Sequence, residues 1–485
     1  MSLFDYSDEE IQAVKPGHLL SMEIEFTRRC NYRCPYCYAV DESMDYSTEM
    51  SPDEIRNAIE QARELGARKI VILGGEPLVY PKLREMIRFI VSLGMGAEIF
   101  TNGALMTEEL ADFFYKQGCR VVVKLNSFNA EVHDRLTGRP DSLKKAREAL
   151  RMLQEAGFRT AKGMLCAATV LSTVNLDEAP TIWRWLREQG IQPYFECITP
   201  QGRLLEHQSL LPDPLRVEEI FREIAQIDRE FGFEWTPQPP LVGQKCFRHR
   251  YSCVVNSRGD VTPCVGLDEV IGSIREKPLR EILAGSRILH RLRNYRTYIK
   301  EPCRSCESIE HCYGCRGAAW QMTGDYLAAD PTCWKNASKQ SEILTLPLDA
   351  EPFIPHRRPV AMVTSLLRVT DTGGDVMAEI RPDNIFLNAD GFLDNAAIPE
   401  LAAQAVAALN GFLFPETIRK GMLAEINRFE CRMPIRAGEQ VTASCRTESE
   451  FPPWYMITFR ILGADNSLRA EGELKLCVPD DEPQP

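Results

Sequence analysis

The amino-acid sequence predicts an α/β fold, a partial barrel of six strand–helix repeats, followed by a cysteine-rich segment and an α+β domain. Strand-like and helix-like hydrophobic patterns alternate six times before residue 200. Eight of the 17 cysteines then fall between Cys246 and Cys333, where the periodicity weakens. Beyond a boundary at 347–355, rich in proline and acidic residues, one long apolar helix lies among strand-like runs. The predicted domains are 1–235, 236–345 and 350–485.

The six repeats can be placed along the first 200 residues. The predicted strands are 22–26, 69–73, 97–100, 120–125, 162–171 and 193–198, and the helices between and after them are 51–66, 82–93, 108–117, 143–156 and 179–189. Ser51, Pro52 and Glu54 form the capping pattern that opens the first of these helices. Repeated strand–helix units imply a parallel sheet, whose functional loops lie at the carboxyl ends of the strands.

Charge and composition exclude several classes of protein. Lys and Arg total 57 and Asp and Glu total 69, a net charge of −12, which argues against nucleic-acid binding. The longest apolar stretch, 398–414, is interrupted by Glu400, Gln404 and Asn410, so we expect no membrane span. The acidic N-terminus has no signal-peptide pattern, so we expect a cytoplasmic protein.

In that setting, 17 cysteines favour metal or cluster ligation over disulfides. The six isolated ones are expected to be buried hydrophobic residues.

The first cysteine motif follows the first predicted strand and reads Cys30-x3-Cys34-x2-Cys37. Three thiolates can ligate three irons of a 4Fe-4S cube and leave the fourth iron open to a chelating ligand. A structural zinc site would need a fourth protein ligand close by, and none is obvious in the sequence.

Residues 18–235 resemble the radical S-adenosylmethionine (SAM) enzymes. The resemblance rests on the cysteine motif with Tyr36 before its last cysteine, on Gly74-Gly75-Glu76-Pro77 after the second strand, and on Thr101-Asn102-Gly103 after the third. It implies that SAM binds the open iron and is cleaved reductively to a 5′-deoxyadenosyl radical that abstracts hydrogen. The glycines are expected to let the backbone approach the ligand. The candidate cofactor-binding residues are Gly74, Gly75, Glu76, Pro77, Thr101, Asn102, Lys124, Asn126, Ser127, Glu196 and Tyr36.

The second cysteine cluster reads Cys246-x12-Gly259-x4-Cys264, then Cys303-x2-Cys306-x5-Cys312-x2-Cys315, then Cys333. It resembles the SPASM extension of radical SAM enzymes, which usually has three residues between the last two cysteines of the middle run. The resemblance implies one 4Fe-4S cluster on Cys246, Cys253, Cys264 and Cys315 and another on Cys303, Cys306, Cys312 and Cys333. Eight thiolates would saturate both cubes, so we expect these clusters to carry electrons. A pair of zinc sites is the alternative. The expected cofactors are three 4Fe-4S clusters and SAM.

Residues 350–480 resemble the hotdog-fold 3-hydroxyacyl-carrier-protein dehydratases. The resemblance rests on Pro355-His356-Arg357, on Glu400 at the start of an alanine-rich helix (398–413), and on six strand-like runs at 360–369, 375–380, 422–431, 440–447, 455–462 and 469–477. It implies that Glu400 is the catalytic acid and that a histidine comes from the loop before the helix. That loop, 384–399, contains no histidine. We therefore expect a dimerising or acyl-docking module, with an active dehydratase as the alternative.

The sequence thus predicts a radical SAM oxidoreductase acting on a small-molecule, acyl-type or carrier-bound substrate. The alternative is a SPASM-type maturase of a ribosomal peptide, in which the hotdog domain serves for dimerisation. The first strand begins near residue 20, which leaves little room for a preceding peptide-recognition domain and favours the first alternative. An electron-transfer protein without catalysis is disfavoured, because the cysteine motif occurs with both of its accompanying loops. The expected partners are a reducing donor such as flavodoxin or ferredoxin and a second copy of the chain.

Overall fold

The structure, a computed structural model, describes residues 3–39, 45–342, 346–370, 372–413 and 421–478. It divides into two units, Met1–Gln321 with Tyr326–Glu342, and Met322–Asp325 with Ile343–Pro485. The first unit contains a nine-stranded sheet that is mainly parallel, and the second contains a seven-stranded antiparallel sheet. The predicted fold class, an α/β barrel followed by an α+β domain, is confirmed.

In the first unit, the sheet runs in the order β6-β5-β4-β3-β2-β1-β7-β8-β9. Its strands are β1 (Ser21–Glu25), β2 (Lys69–Leu73), β3 (Gly96–Thr101), β4 (Arg120–Lys124), β5 (Leu165–Leu171), β6 (Gln192–Cys197), β7 (Val254–Val255), β8 (Asp260–Thr262) and β9 (Gly272–Ser273). The helices before residue 324 are α1 (Asp8–Gln12), α2 (Pro52–Glu64), α3 (Leu83–Ser92), α4 (Glu108–Lys116), α5 (Ala130–Thr137), α6 (Ser142–Leu153), α7 (Ala179–Glu188), α8 (Pro214–Glu230), α9 (Arg248–Tyr251), α10 (Leu279–Gly285), α11 (Arg287–Arg293), α12 (Tyr295–Tyr298) and α13 (Arg316–Thr323).

All six predicted barrel strands are present, and β1 to β6 pair in parallel with their neighbours. The predicted helix start at Ser51 is also confirmed, since the Ser51 hydroxyl accepts from the Glu54 amide at 3.2 Å and the Glu54 carboxylate accepts from the Ser51 amide at 2.7 Å. The sequence analysis missed α5 and α8. The helix predicted to reach 156 ends as an α-helix at Leu153, and Gly157 follows with φ +122°.

The separate domain predicted for 236–345 is packed as part of the first unit. Strand β7 pairs in parallel with β1, and the Glu23 amide donates to the Cys253 carbonyl at 2.9 Å. Val255, Val261 and Leu279 are buried in the same hydrophobic core as the barrel strands. The weak periodicity of this segment does not reflect the lack of a core, because its short strands extend the barrel sheet.

The second unit places one long helix against its sheet. The sheet order is β10-β11-β12-β14-β15-β16-β13. Its elements are β10 (Leu348–Asp349), β11 (Val363–Thr370), β12 (Gly373–Glu379), α14 (Ile398–Leu413), β13 (Met422–Cys431), β14 (Gln440–Phe451), β15 (Trp454–Gly463) and β16 (Leu468–Cys477). Among the described residues, 395–413 is the one helical stretch whose length and composition would allow a membrane span. Of its apolar 18-residue stretch, 67% is buried inside the structure. That burial is typical of the core helix of an α+β layer.

A buried carboxylate joins α7 to α8 in the first unit. Asp228, on α8, is 1% exposed and accepts from the indole nitrogens of Trp183 at 2.6 Å and Trp235 at 2.8 Å. The Arg187 guanidinium donates to both of its oxygens, at 2.8 and 3.0 Å. Removing Asp228 would leave a largely buried cation and two indole N–H groups without acceptors.

We expect Asp228→Ala to lower the free energy of unfolding of the first unit by about 3 to 5 kcal/mol, as loss of one partner of a buried pair does. Urea denaturation followed by tryptophan fluorescence measures this. Asp177→Ala is the control, because Asp177 pairs with Arg216 at 2.7 Å on the surface and should contribute little. Equal losses in the two variants would contradict the importance of the buried carboxylate.

Candidate active site

A cavity of about 780 Å³ lies within the first unit and gathers residues from both cysteine motifs. The loops after β1, β2 and β3, the ends of β4 and β6, and the segment before α9 all contribute to its wall. The predicted site residues on the wall are Cys30, Cys34, Cys37, Tyr36, Gly74, Gly75, Glu76, Thr101, Asn102, Lys124, Glu196, Cys246, Cys264 and Cys315. Sites predicted from motifs more than 200 residues apart therefore share one cavity.

The thiols of the first motif lie together on this wall. Burial raises the pKa of Cys34 to about 12, with smaller contributions from the neighbouring Cys37 and Cys30. Burial also raises the pKa of Cys30 to about 11, with Glu76 and Cys37 adding to the shift. Three thiol donors without a fourth cysteine fit a cube with one open iron.

The glycines after β2 bring their loop close to the backbone of the cysteine loop. The Gly75 amide donates to the Thr27 carbonyl at 2.8 Å, and the Glu76 amide donates to the Arg29 carbonyl at 2.9 Å. Gly74 has φ +116°, and a Cβ atom on Gly75 would collide with the carbonyl oxygens of Arg28 and Arg29. These glycines therefore allow the backbone of the cysteine loop to approach closely, and both also line the cavity.

Glu76 links three strand-end loops. Its carboxylate is 1% exposed and accepts from the Thr101 hydroxyl at 2.6 Å, the Asn102 amide at 2.7 Å and the Leu78 amide at 3.0 Å. Burial raises its pKa to about 6, although these hydrogen bonds act in the opposite direction. The Asn102 side chain in turn donates to Asn31, beside Cys30, at 2.8 Å. The loops after β1, β2 and β3 are thereby held in one arrangement.

Three predicted cofactor-binding residues lie behind the wall. Pro77 is buried and opens a short 3-10 turn. The Asn126 amide donates to the Tyr36 hydroxyl at 2.7 Å, so it supports a residue of the cysteine loop. The Ser127 hydroxyl donates to Glu178, away from the cavity. All three follow a strand directly, as wall residues do, but their side chains pack against neighbouring loops.

The sequence analysis missed a buried polar group in the middle of the barrel. Glu23 is 6% exposed, and no described residue hydrogen-bonds its Oε2. Burial raises the pKa of Glu23, and the nearby Arg248 opposes that shift. The Arg248 guanidinium lies 3.4 Å from Glu23 and donates to the Tyr194 hydroxyl. A charged residue at the centre of the apolar first strand was the available signal for Glu23, and nothing in the sequence indicated Arg248.

The thiols of the second auxiliary set lie near one another. Burial and the neighbouring Asp330, Cys312 and Cys303 raise the pKa of Cys333. Cys306 and Cys333 both lie near the Lys335 ammonium and help raise its pKa. These four thiols, on Cys303, Cys306, Cys312 and Cys333, fit a fully ligated cube.

The first auxiliary set is incomplete. Burial raises the pKa of Cys315, and the nearby Cys246 and Cys264 add to that shift, so these three thiols lie together. Cys253 does not join them. It is fully buried in the hydrophobic core beside β7 and is absent from the cavity wall that the other three share. The predicted four-cysteine set is therefore wrong at Cys253, which the start of β7 directs into the barrel core.

None of the 17 cysteines, all of them described, forms a disulfide. Within the described residues, no three His, Cys, Asp or Glu side chains lie close enough to share a single metal ion. The cysteines of a cube each bind a different iron and need not approach so closely.

In the second unit, the structure gives Glu400 a histidine partner. The Glu400 Oε1 atom lies 3.4 Å from His356 Nε2 and accepts from the Gln404 amide at 3.0 Å. Gln404 is fully buried and accepts from the Met362 amide at 2.9 Å, which fixes its side chain. The expectation that Glu400 lacks a histidine partner is wrong, because the histidine comes from a loop 44 residues earlier rather than from the loop before the helix.

Comparison with known families agrees with this arrangement. The radical SAM superfamily matches residues 24–186, the SPASM iron-sulfur cluster-binding domain matches 246–307, and the ApeP-like family, described as ApeP dehydratase, matches 348–484.

Curated relatives cover the first two of these regions. An AdoMet-dependent heme synthase of Methanosarcina barkeri is 28% identical over 335 residues, which is 64% of this chain and 94% of the relative. A PqqA peptide cyclase of Bradyrhizobium diazoefficiens is 25% identical over 334 residues, 65% of this chain and 86% of the relative.

Solved structures share the fold of the same region. Native anSMEcpe with bound AdoMet aligns with a TM-score of 0.52 at 16% identity, covering 66% of this chain and 96% of that one. Streptococcus suis SuiB bound to S-adenosylmethionine aligns with a TM-score of 0.51 at 16% identity, covering 66% and 78%. Both cysteine motifs lie on one cavity, and successive regions of the chain match the radical SAM superfamily, the SPASM iron-sulfur domain and the ApeP-like dehydratase family in that order.

Proposed function

We propose that the chain cleaves SAM reductively at a 4Fe-4S cluster on Cys30, Cys34 and Cys37 and abstracts hydrogen from a small or acyl-type substrate in the same cavity. The observation that supports this most directly is the shared wall, where the three thiols, Gly74 to Glu76 and a space of about 780 Å³ meet. Cavities of roughly 300 to 1,000 Å³ are typical of small-molecule sites. When bound, the cluster and SAM supply the 5′-deoxyadenosyl radical.

The residues of the chain hold and orient these components. Thr101 and Asn102, fixed by Glu76, hold the third strand-end loop against the cysteine loop. Lys124 and Arg248 offer cations to a substrate carboxylate on the wall, and the Glu23 Oε2 atom offers an acceptor to a hydroxyl or amine. Burial of these groups excludes water, which strengthens each interaction.

A peptide substrate is the second candidate. It is supported by the similarity to the PqqA peptide cyclase, just as the similarity to the heme synthase supports a small substrate.

The four-cysteine set at Cys303 to Cys333 leaves no iron for substrate, so we assign it to electron transfer from a flavodoxin- or ferredoxin-type donor. Such thiolate-rich clusters suit the reducing cytoplasm, where we place the protein.

Replacing Cys30, Cys34 and Cys37 with alanine should remove about four irons per chain, the content of one cube. It should also abolish 5′-deoxyadenosine formation from SAM with dithionite, because no iron is then open to SAM. Iron analysis and chromatography of the product measure both effects. Cys119→Ala, which removes a buried core thiol, is the control and should leave both unchanged. SAM cleavage that persists in the triple variant would refute the assignment.

We also propose that the second unit is an acid–base catalyst for acyl thioesters. The 3.4 Å contact between His356 and Glu400 supports this. In dehydration, the imidazole would take the proton from the carbon beside the thioester carbonyl, and the protonated carboxyl would give its proton to the leaving hydroxyl. The products are a 2-enoyl thioester and water, and a proton passed from the imidazole to the carboxylate restores the pair.

Both Glu400→Gln and His356→Asn should slow hydration of a crotonyl thioester, each by about 10² to 10⁴-fold, the usual contribution of a positioned acid or base. Loss of thioester-conjugated absorbance measures the rate. Glu351→Gln, at an exposed carboxylate of the same unit, is the matched control. If wild-type protein gives no turnover, the unit is a docking module as the sequence alone predicted. If both variants keep the full rate, the assignment of His356 and Glu400 as the acid–base pair is refuted.

We propose that strand β13 pairs two copies of the chain into a homodimer. It is the edge strand of the seven-stranded sheet and spans Met422–Cys431. Met422 is 59% exposed and Ile426 is 46% exposed. A long edge strand with exposed apolar side chains is a ready template for pairing.

The full-length protein should therefore sediment as a dimer, and Ile426→Lys should shift it toward the monomer, since it places a charge on the paired edge. Leu215→Lys changes a similarly exposed residue of the first unit and should leave the dimer intact. Sedimentation velocity distinguishes the two species. A monomeric wild-type protein would remove the proposal.

A further inference from the structure

The first auxiliary site has three cysteines, and its fourth ligand must come from elsewhere. Cys246, Cys264 and Cys315 share the cavity wall, whereas Cys253 is buried in the barrel core. We infer that His249 supplies the fourth protein ligand through Nε2, so that this cluster is held by three thiolates and one imidazole. The inference depends on one part of the proposed function, namely that this segment binds 4Fe-4S clusters.

The position of His249 in the chain suits this role. It lies three residues after Cys246, on the single turn of α9, which begins at Arg248. It also lines the same cavity as the three cysteines and is 3% exposed. Cysteine thiolates and histidine imidazoles occur together as ligands in metal sites.

The hydrogen bonding of the ring leaves one nitrogen available. His249 Nδ1 lies 2.7 Å from the Tyr313 hydroxyl, and the two rings meet edge to face with centroids 5.5 Å apart. Nε2 is buried, and no described residue hydrogen-bonds it. An unpaired buried nitrogen is costly. A ring held through one nitrogen, with the other directed to a metal, is the usual arrangement of a ligating histidine.

Tyr313 connects this ring to the cysteines. Tyr313 is buried and lines the same cavity as Cys246 and Cys264. Tyr313 also stands two residues before Cys315 in the chain. The hydroxyl that orients His249 therefore lies next to the donor set that the histidine would complete.

The ligand set has a consequence for electron transfer. A neutral imidazole in place of a thiolate makes the cluster one charge less negative and therefore easier to reduce. The second auxiliary site has four thiolates and no neutral ligand, so the negative charge of its cluster is not lowered. The two auxiliary clusters would then have different potentials, with the first, on the cavity wall, as the better electron acceptor.

The test uses the full chain with Cys30, Cys34 and Cys37 replaced by alanine, so that only auxiliary clusters remain. The protein is reconstituted anaerobically after growth with ¹⁵N-histidine or ¹⁴N-histidine, reduced, and measured by pulsed EPR. We expect a directly bound nitrogen whose hyperfine coupling changes with the isotope. His249→Gln should lose this coupling and His249→Cys should lower the midpoint potential of the cluster. His311→Gln, beside Cys312 and exposed, is the control and should keep the coupling.

Iron content provides a second, independent readout. Cys253→Ser should retain about eight irons per chain in this background, four for each cube, whereas Cys246→Ser should lose about four. Absence of an isotope-sensitive coupling in the labelled protein, or loss of iron in Cys253→Ser, would overturn the inference. Neither readout depends on SAM cleavage, so failure here is distinct from failure of the proposed radical chemistry.

Discussion

The candidate active site depends on the backbone contact between the cysteine loop and the loop after β2. The amides of Gly75 and Glu76 donate to the carbonyls of Thr27 and Arg29, and the glycines leave the space that this approach requires. Glu76 then extends the contact to the loop after β3. A cluster with an open iron needs its three thiols and its cofactor-binding loop in fixed relation, and backbone hydrogen bonds fix loops more rigidly than exposed side chains can.

The charged groups buried around the cavity are constrained by their need for partners. Arg248 and the Glu23 carboxylate would be costly inside an apolar barrel, and each is partly compensated by the other at 3.4 Å. At the amino end of the strands, Lys69 pairs with Glu98 at 2.6 Å and Arg120 with Asp5 at 2.7 Å. The barrel interior is therefore lined by paired charges. The Glu23 Oε2 atom, on the cavity side, accepts no hydrogen bond from a described residue.

Much of the fold was predictable, because the signals are local. Six strands followed from short apolar runs, and the helix start at Ser51 followed from its capping residues. Helices α5 and α8 were missed, and the errors at the candidate sites concern contacts between distant segments. Cys253 directly precedes β7, and the pairing of β7 with β1 buries it. His356 is far from Glu400 in sequence and reaches it only when the second unit folds. Residues of this kind carry no periodicity, so tertiary structure alone reveals them.

The two candidate sites differ in their surroundings in a way that suits their chemistries. The cysteines of the first site are half-buried on the wall of a cavity, and a radical formed there needs protection from water and from side reactions. His356 and Glu400 are 31% and 30% exposed, so a thioester on a long carrier arm can reach them from solvent. Proton transfer between groups in contact tolerates such exposure, because the proton passes directly from the imidazole to the carboxylate. Under the proposed function, hydrogen abstraction and acyl-thioester chemistry would take place at separate sites, each with the surroundings that its chemistry needs.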